Sequence, residues 1–102
     1  MMKYNFGIIG AAGYIAPRHM EAFYRTNNNL SVIYDRFDSI GIVDRYFPEA
    51  SMFTEFELLD RYIERNKETK NSIDYISICS PNYLHDAHIR TCLKWGANAI
   101  CE

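Results

Sequence analysis

An apolar run from Tyr4 to Ile9 ends on Gly10-Ala11-Ala12-Gly13, and a helical pattern starts directly behind it. No other segment constrains the fold as much. A continuous apolar run without polar alternation fits a strand buried on both faces, as in a parallel sheet. Parallel neighbours need crossover connections, and the helix after the turn provides one. The turn is built of residues with little or no side chain, so the backbone can bend sharply and approach another group closely. Strict G-x-G-x-x-G spacing fails, because Ala12 takes the second glycine position. A G-x-x-G-x-x-A register fits Gly10, Gly13 and Ala16. Such a turn aims the free N–H groups of a helix N-terminus at an anion such as a dinucleotide pyrophosphate. The alternative is a tight βα turn in an α/β protein that binds no nucleotide.

The same alternation continues along the chain. A helix is predicted over 14–26, with Pro17 tolerable only in its first turn. Leu30 to Tyr34 reads as a second strand, and Asp38 as a cap for a short helix over 39–46. Ala50 to Phe53 reads as a third strand. Thr54 and Glu57 match a capping box, with Phe53 and Leu58 placed for a hydrophobic staple. Phe56, Leu59, Tyr62 and Ile63 then repeat at helical spacing. Ile73 to Cys79 is the fourth strand, broken by Ser80-Pro81-Asn82, with Asn82 a possible cap. A further helix runs to Gly96, its predicted C-terminal stop. Asn98 to Cys101 is the fifth strand, predicted to lie on an exposed sheet edge. The β-α repetition predicts an α/β fold, a Rossmann-type doubly wound parallel sheet of about five strands with helices on both faces. Ligands of such sheets sit beyond the C-terminal strand ends, near the point where strand order reverses.

Three groups of residues fall at those ends. The first is the glycine turn. The second is Asp35, 25 residues after Gly10 at the close of the second strand. A carboxylate there can accept both ribose hydroxyls of an adenosine and repel a 2′-phosphate, which favours NAD over NADP. Arg36 beside it pulls the other way, since arginine can pair with such a phosphate. The third is Ser80-Pro81-Asn82, a stiff turn with hydrogen-bonding side chains, readable equally as a ligand contact or as helix capping. His85 and His88 share one helical face, but no third Cys, His or acid stands at metal-ligand spacing. His19, near the start of the first helix, either neighbours the pyrophosphate turn or packs, and packing is the favoured reading. No nucleophile signature is present.

Composition narrows the class further. The 102 residues suffice for one domain, and 48% apolar residues suffice for its core. Net charge is −2 with scattered basic residues, so nothing favours nucleic acid. Three cysteines without a C-x-x-C pair argue for a reducing, cytoplasmic setting, with Cys79 and Cys101 as small hydrophobes in apolar segments. Lys3 and the following apolar stretch superficially resemble a signal peptide, but three glycines and the Pro17-Arg18-His19 exit argue against export. No stretch approaches the roughly 18 apolar residues of a membrane helix.

Phe6 through His19 resembles the opening of the glucose-fructose oxidoreductase, inositol dehydrogenase and MocA family. Ser80-Pro81-Asn82-Tyr83-Leu84-His85 resembles that family's [ST]-P-N-x-x-H turn, and Glu102 the start of its E-K-P motif. Within the family, Gly10 to His19, Tyr34-Asp35 with Asp38-Ser39, and Phe53 to Phe56 are similar to the bacterial UDP-N-acetylglucosaminuronate 3-dehydrogenases of O-antigen and lipopolysaccharide synthesis. The resemblance implies an NAD-dependent oxidoreductase that turns the C3 hydroxyl of a UDP-linked N-acetylglucosamine uronic acid into a ketone. It implies that Gly10, Ala12, Gly13, Tyr14 and Ile15 form the pyrophosphate turn, and that Asp35, with Asp38 and Ser39 nearby, holds the adenine ribose. Ser80, Pro81, Asn82 and His85 would line the cofactor, and Glu102 would lie near the nicotinamide ribose. The family's lysine would follow Glu102, so the chain is expected to be the cofactor domain cut before the catalytic lysine, without the substrate domain. It is expected to be inactive alone, while the full-length parent would be a homo-oligomer acting on a UDP-sugar. A free-standing NAD-binding module without catalysis is the alternative.

Overall fold

The computed structural model describes residues 4–11, 15–36 and 46–101, with Asn82 and Tyr83 described in backbone only. Five strands form one sheet: β1 (Asn5–Ile9), β2 (Asn29–Tyr34), β3 (Ser51–Phe53), β4 (Tyr75–Ile78) and β5 (Asn98–Cys101). Every neighbouring pair is parallel, and the order is β3-β2-β1-β4-β5. Strand order therefore reverses between β1 and β4, which puts the crevice of a doubly wound sheet at their C-terminal ends. Three helices are described: α1 (Ala16–Arg25), α2 (Phe56–Asn66) and α3 (Asn82–Trp95). The expected short helix at 39–46 and its Asp38 cap lie outside the described residues, apart from Tyr46.

Two apolar clusters clamp the sheet. On the α1 face, Phe6, Ile8, Leu30 and Ile33 meet Ala16, Met20 and Phe23. On the other, Ile9, Val32, Ile76 and Ile78 meet Leu59 and Ile63 of α2 and Cys92 and Trp95 of α3. Each fully buried isoleucine or leucine contributes about 1.5–3 kcal/mol from apolar burial. Strand alternation would send Leu30 and Ile33 to opposite faces, yet both lie in the α1 cluster. The register explains it: Phe6 pairs with Leu30 but Gly7 with Val32, so Ser31 is an extra residue in β2 and the faces switch there.

Several local expectations are corrected. Helix α2 starts at Phe56 behind Glu55, with no side-chain cap bond, so the Thr54–Glu57 capping box does not form. Thr54 and Glu55 instead carry the chain from the end of β3 into the helix. Leu58 is exposed, and Phe53 packs against the Tyr62 ring at 5.5 Å, in place of a Phe53–Leu58 staple. Asn82 is the first residue of α3, not its cap. Pro81 holds the cap position, again without a side-chain bond. Helix α1 and strand β4 are each shorter than predicted. Cys101 is exposed on β5 and so does not serve as a core hydrophobe. Gly96 does end α3, with φ of 76°. The lone described neighbour of β5 is β4, and all four β5 residues are exposed.

Candidate functional site

The C-terminal ends of β1, β2 and β4 are tied together by backbone hydrogen bonds. Gly10 and Ala11 both donate to the Tyr34 carbonyl, at 2.8 and 3.2 Å. The Cys79 amide donates to the Ile9 carbonyl at 2.8 Å, and the Asp35 amide to the Phe53 carbonyl at 3.2 Å. Gly10 has φ of +87°, a conformation that favours glycine. A Cβ on it would stand 2.5 Å from the Ser80 nitrogen and 2.7 Å from the Cys79 carbonyl carbon. Gly10 and Ser80, which open two separate motifs in the sequence, thus meet in one packed junction at the reversal point.

Helices α1 and α3 both begin at this edge. Neither has a side-chain cap bond nor an acidic residue in its first turn, whereas α2 carries Glu57 there. The positive ends of α1 and α3 therefore carry no first-turn acid to neutralise them. Ile15 occupies the cap position of α1 and packs its side chain on the adjoining apolar cluster. Asp35 follows β2 directly and is half-buried. Ala12, Gly13, Tyr14, Asp38, Ser39 and Glu102 lie outside the described residues, and the Asn82 side chain does as well.

Ser80 is buried at 8% exposure, and two histidines of α3 hold it. His85 Nε2–H donates to the Ser80 carbonyl at 2.6 Å. His88 Nδ1 lies 2.7 Å from the Ser80 hydroxyl. Burial lowers the His88 pKa from its ordinary value, and the charge of His85 adds to this. The His88 ring stacks on Phe56, 5.6 Å between centroids. His88 was not among the expected site residues. Its three-residue spacing from His85 was visible, but only the fold shows that both reach the same serine. On the opposite face, His19 Nδ1 lies 2.9 Å from the hydroxyl of buried Ser77, and its ring meets Phe23 edge-on, as a packing residue. Among the described residues no group of three His, Cys, Asp or Glu is placed to hold a metal ion. No described helix is long and apolar enough to cross a membrane.

The sequence pattern of the Gfo/Idh/MocA oxidoreductase family, described by its NAD-binding Rossmann fold, matches residues 4–102. The WlbA (WbpB) dehydrogenase from Thermus thermophilus, solved in complex with NAD and alpha-ketoglutarate, is 43% identical over 96% of this chain, with a TM-score of 0.91. The same figures hold for that enzyme in complex with NAD and UDP-GlcNAcA. The chain spans 32% of that enzyme's length, about a third. The myo-inositol 2-dehydrogenase from Lactobacillus plantarum shares the fold, with a TM-score of 0.76 at 16% identity over 98% of this chain and 28% of that one.

Proposed function

The chain belongs to the Gfo/Idh/MocA oxidoreductase family with its NAD-binding Rossmann fold, and on that premise we propose that it is the cofactor-binding part of a dehydrogenase acting on a UDP-N-acetylglucosamine uronic acid. The observation that carries the reading is the Gly10–Ser80 junction at the reversal point, flanked by two helix N-termini free of acidic residues. A dinucleotide fits the chemistry of this edge. Gly10, Gly13 and Ile15 would meet its pyrophosphate, Asp35 its adenine ribose, and Ser80 to His85 its other half. The substrate assignment rests on the likeness to WlbA, which was solved with NAD and UDP-GlcNAcA. It extends to a role in lipopolysaccharide O-antigen synthesis, in the cytoplasm, by a homo-oligomeric parent enzyme.

Oxidising the sugar's C3 hydroxyl removes a hydride from carbon and a proton from oxygen. NAD supplies the hydride acceptor when bound. The proton needs a base within hydrogen-bond reach of the hydroxyl. Ser80 occupies one ring nitrogen of each histidine, Nε2 of His85 and Nδ1 of His88. We read the 102 residues as binding NAD without turnover, the base and the sugar-holding surface coming from elsewhere in a parent enzyme, since the chain spans 32% of the WlbA chain solved with NAD and UDP-GlcNAcA.

Isothermal titration of the chain with NAD and NADP tests the binding. Saturable NAD binding that is stronger than NADP binding is expected, because the Asp35 carboxylate repels a 2′-phosphate. Absence of NAD binding by a folded chain would overturn the reading. NADH formation at 340 nm with UDP-N-acetylglucosaminuronate tests the second part, and turnover by these residues alone contradicts it.

A further inference from the structure

Five residues close a ring of contacts around the strand ends. Gly10 abuts the Ser80 backbone. The Ser80 hydroxyl meets His88 Nδ1 at 2.7 Å. The His88 ring stacks on Phe56 with 22° between planes. Phe56 meets the Tyr34 ring edge-on at 5.1 Å, and the Tyr34 carbonyl takes the N–H groups of Gly10 and Ala11. The ring joins β1, β2 and β4 with the first turn of α2 and the second turn of α3. Ser80 is the member that carries a rotatable polar group at the ligand edge. Its carbonyl is already fixed by His85, so the hydroxyl is the freedom that remains, with three staggered positions open to it.

We infer that His88 is a positioning residue of the cofactor site: through Nδ1 it selects one orientation of the Ser80 hydroxyl, while its stack on Phe56 ties that orientation to the end of β2. This rests on the reading of the strand ends as an NAD site. A hydroxyl already held in one rotamer loses less freedom when a ligand arrives, so the bond strengthens binding without touching the ligand. Lowered basicity from burial keeps the imidazole neutral near pH 7, so it sits beside the hydroxyl without bringing a buried charge.

Two substitutions separate the hydrogen bond from the ring. His88→Phe keeps an aromatic face for Phe56 and removes Nδ1. His88→Asn puts an amide nitrogen near the place of Nδ1 and removes the ring. Isothermal titration with NAD is run on wild type, both variants and Ser80→Ala, with circular dichroism and thermal melting to establish folding. His88→Phe is expected to weaken NAD binding roughly three- to tenfold, the size of one lost hydrogen bond. Ser80→Ala is expected to weaken it equally, the double variant Ser80→Ala/His88→Phe no further, and His88→Asn to stay within about twofold of wild type. A merely structural role would move the melting temperature of both His88 variants without this split in affinity. If His88→Phe does not fold, equal NAD binding by Ser80→Ala and wild type overturns the inference. Wild type that binds NAD while His88→Phe binds as tightly, or His88→Asn as weakly as His88→Phe, overturns it as well. Wild type that binds no NAD overturns the functional reading itself, and the role of His88 falls with it.

Discussion

The backbone of Ser80 fills the space in which Gly10 would carry a side chain, with the Ser80 nitrogen 2.5 Å from the position of that Cβ. The obstruction is main chain, which cannot swing aside as a flexible side chain can. Gly10→Ala is therefore expected to destabilise the domain by about 2–4 kcal/mol, from the left-handed backbone and the overpacking together. Urea unfolding checks this, and an unchanged midpoint contradicts it. Binding of NAD by the variant should fall in step, since the same junction would have to open.

Asp60 anchors the end of α3 to α2. It accepts from the Trp95 indole N–H at 2.7 Å and from Lys94 Nζ at 3.2 Å. Asp60→Ala leaves the indole N–H without this acceptor and should cost about 1–2 kcal/mol. The Trp95 hydrogen bond holds the Asp60 carboxyl below its ordinary value of 3.8, with help from Lys94. A depressed carboxylate stabilises the fold above that ordinary value and loses the contribution as pH falls through the folded one. Melting temperatures at pH 7 and pH 3 should therefore differ less in Asp60→Asn than in wild type.

His88 gives a second pH dependence, at milder acidity. Its folded pKa lies below the ordinary value of 6.5, through burial first and then through His85. Ser80 and Phe56 meet its ring. Since the unfolded chain binds the proton more readily, the contribution is fully present above about 6.5 and declines as pH falls below it. Stability measured between pH 7.5 and 5 should show a smaller decline in His88→Phe than in wild type, and equal slopes would contradict the assignment.

The three thiols should separate cleanly by reactivity. Cys79 and Cys92 are buried and Cys101 is exposed. Burial pushes the Cys92 thiol up to about 11, reinforced by Cys101, so Cys92 carries almost no thiolate at pH 8. One fast equivalent of Ellman's reagent is expected on the folded protein, and it should disappear in Cys101→Ser. All three should react in denaturant. Two fast equivalents without denaturant would contradict the burial pattern.

Strand β5 exposes all four of its residues, Ile100 among them, and Leu93 of α3 is 74% exposed. An open apolar edge is a template for strand pairing. Self-association that grows with concentration is expected in sedimentation velocity, and Ile100→Lys should reduce it. Identical profiles for the two proteins would exclude β5 as the contact.

What was legible in the chain was the information carried by neighbours within a few residues. The apolar run before Gly10 announced β1, the apolar spacing from Phe56 to Ile63 announced α2, and Gly96 marked the end of α3, each with boundaries within a residue or two. Such signals depend on backbone conformation and on helical or strand periodicity, which are local properties. The Thr54–Glu57 capping box is local too, and it misled. The pattern fits a cap, but the chain leaving β3 needs Thr54 and Glu55 as connection, so the helix begins one residue later, behind Glu55.

The alternation of strands and helices along the sequence determined that the sheet is parallel and that its C-terminal edge gathers Gly10, Asp35 and Ser80. Only the tertiary structure decided how those residues meet. Strands β1 and β4, far apart in the chain, became neighbours, and that pairing alone sets Gly10 against Ser80. The extra residue at Ser31 is likewise fixed by the partner strand, since it offsets the pairing with β1 and lets Leu30 and Ile33 share one core. His88 belongs to the same class of fact. Its spacing from His85 is written in the sequence, but its bond to the Ser80 hydroxyl depends on where β4 ends and on Phe56 arriving from α2. Local periodicity can place a residue on a face. Which group waits there is set by long-range packing, where the energy lies in burial and shape shared between segments with no pattern in common.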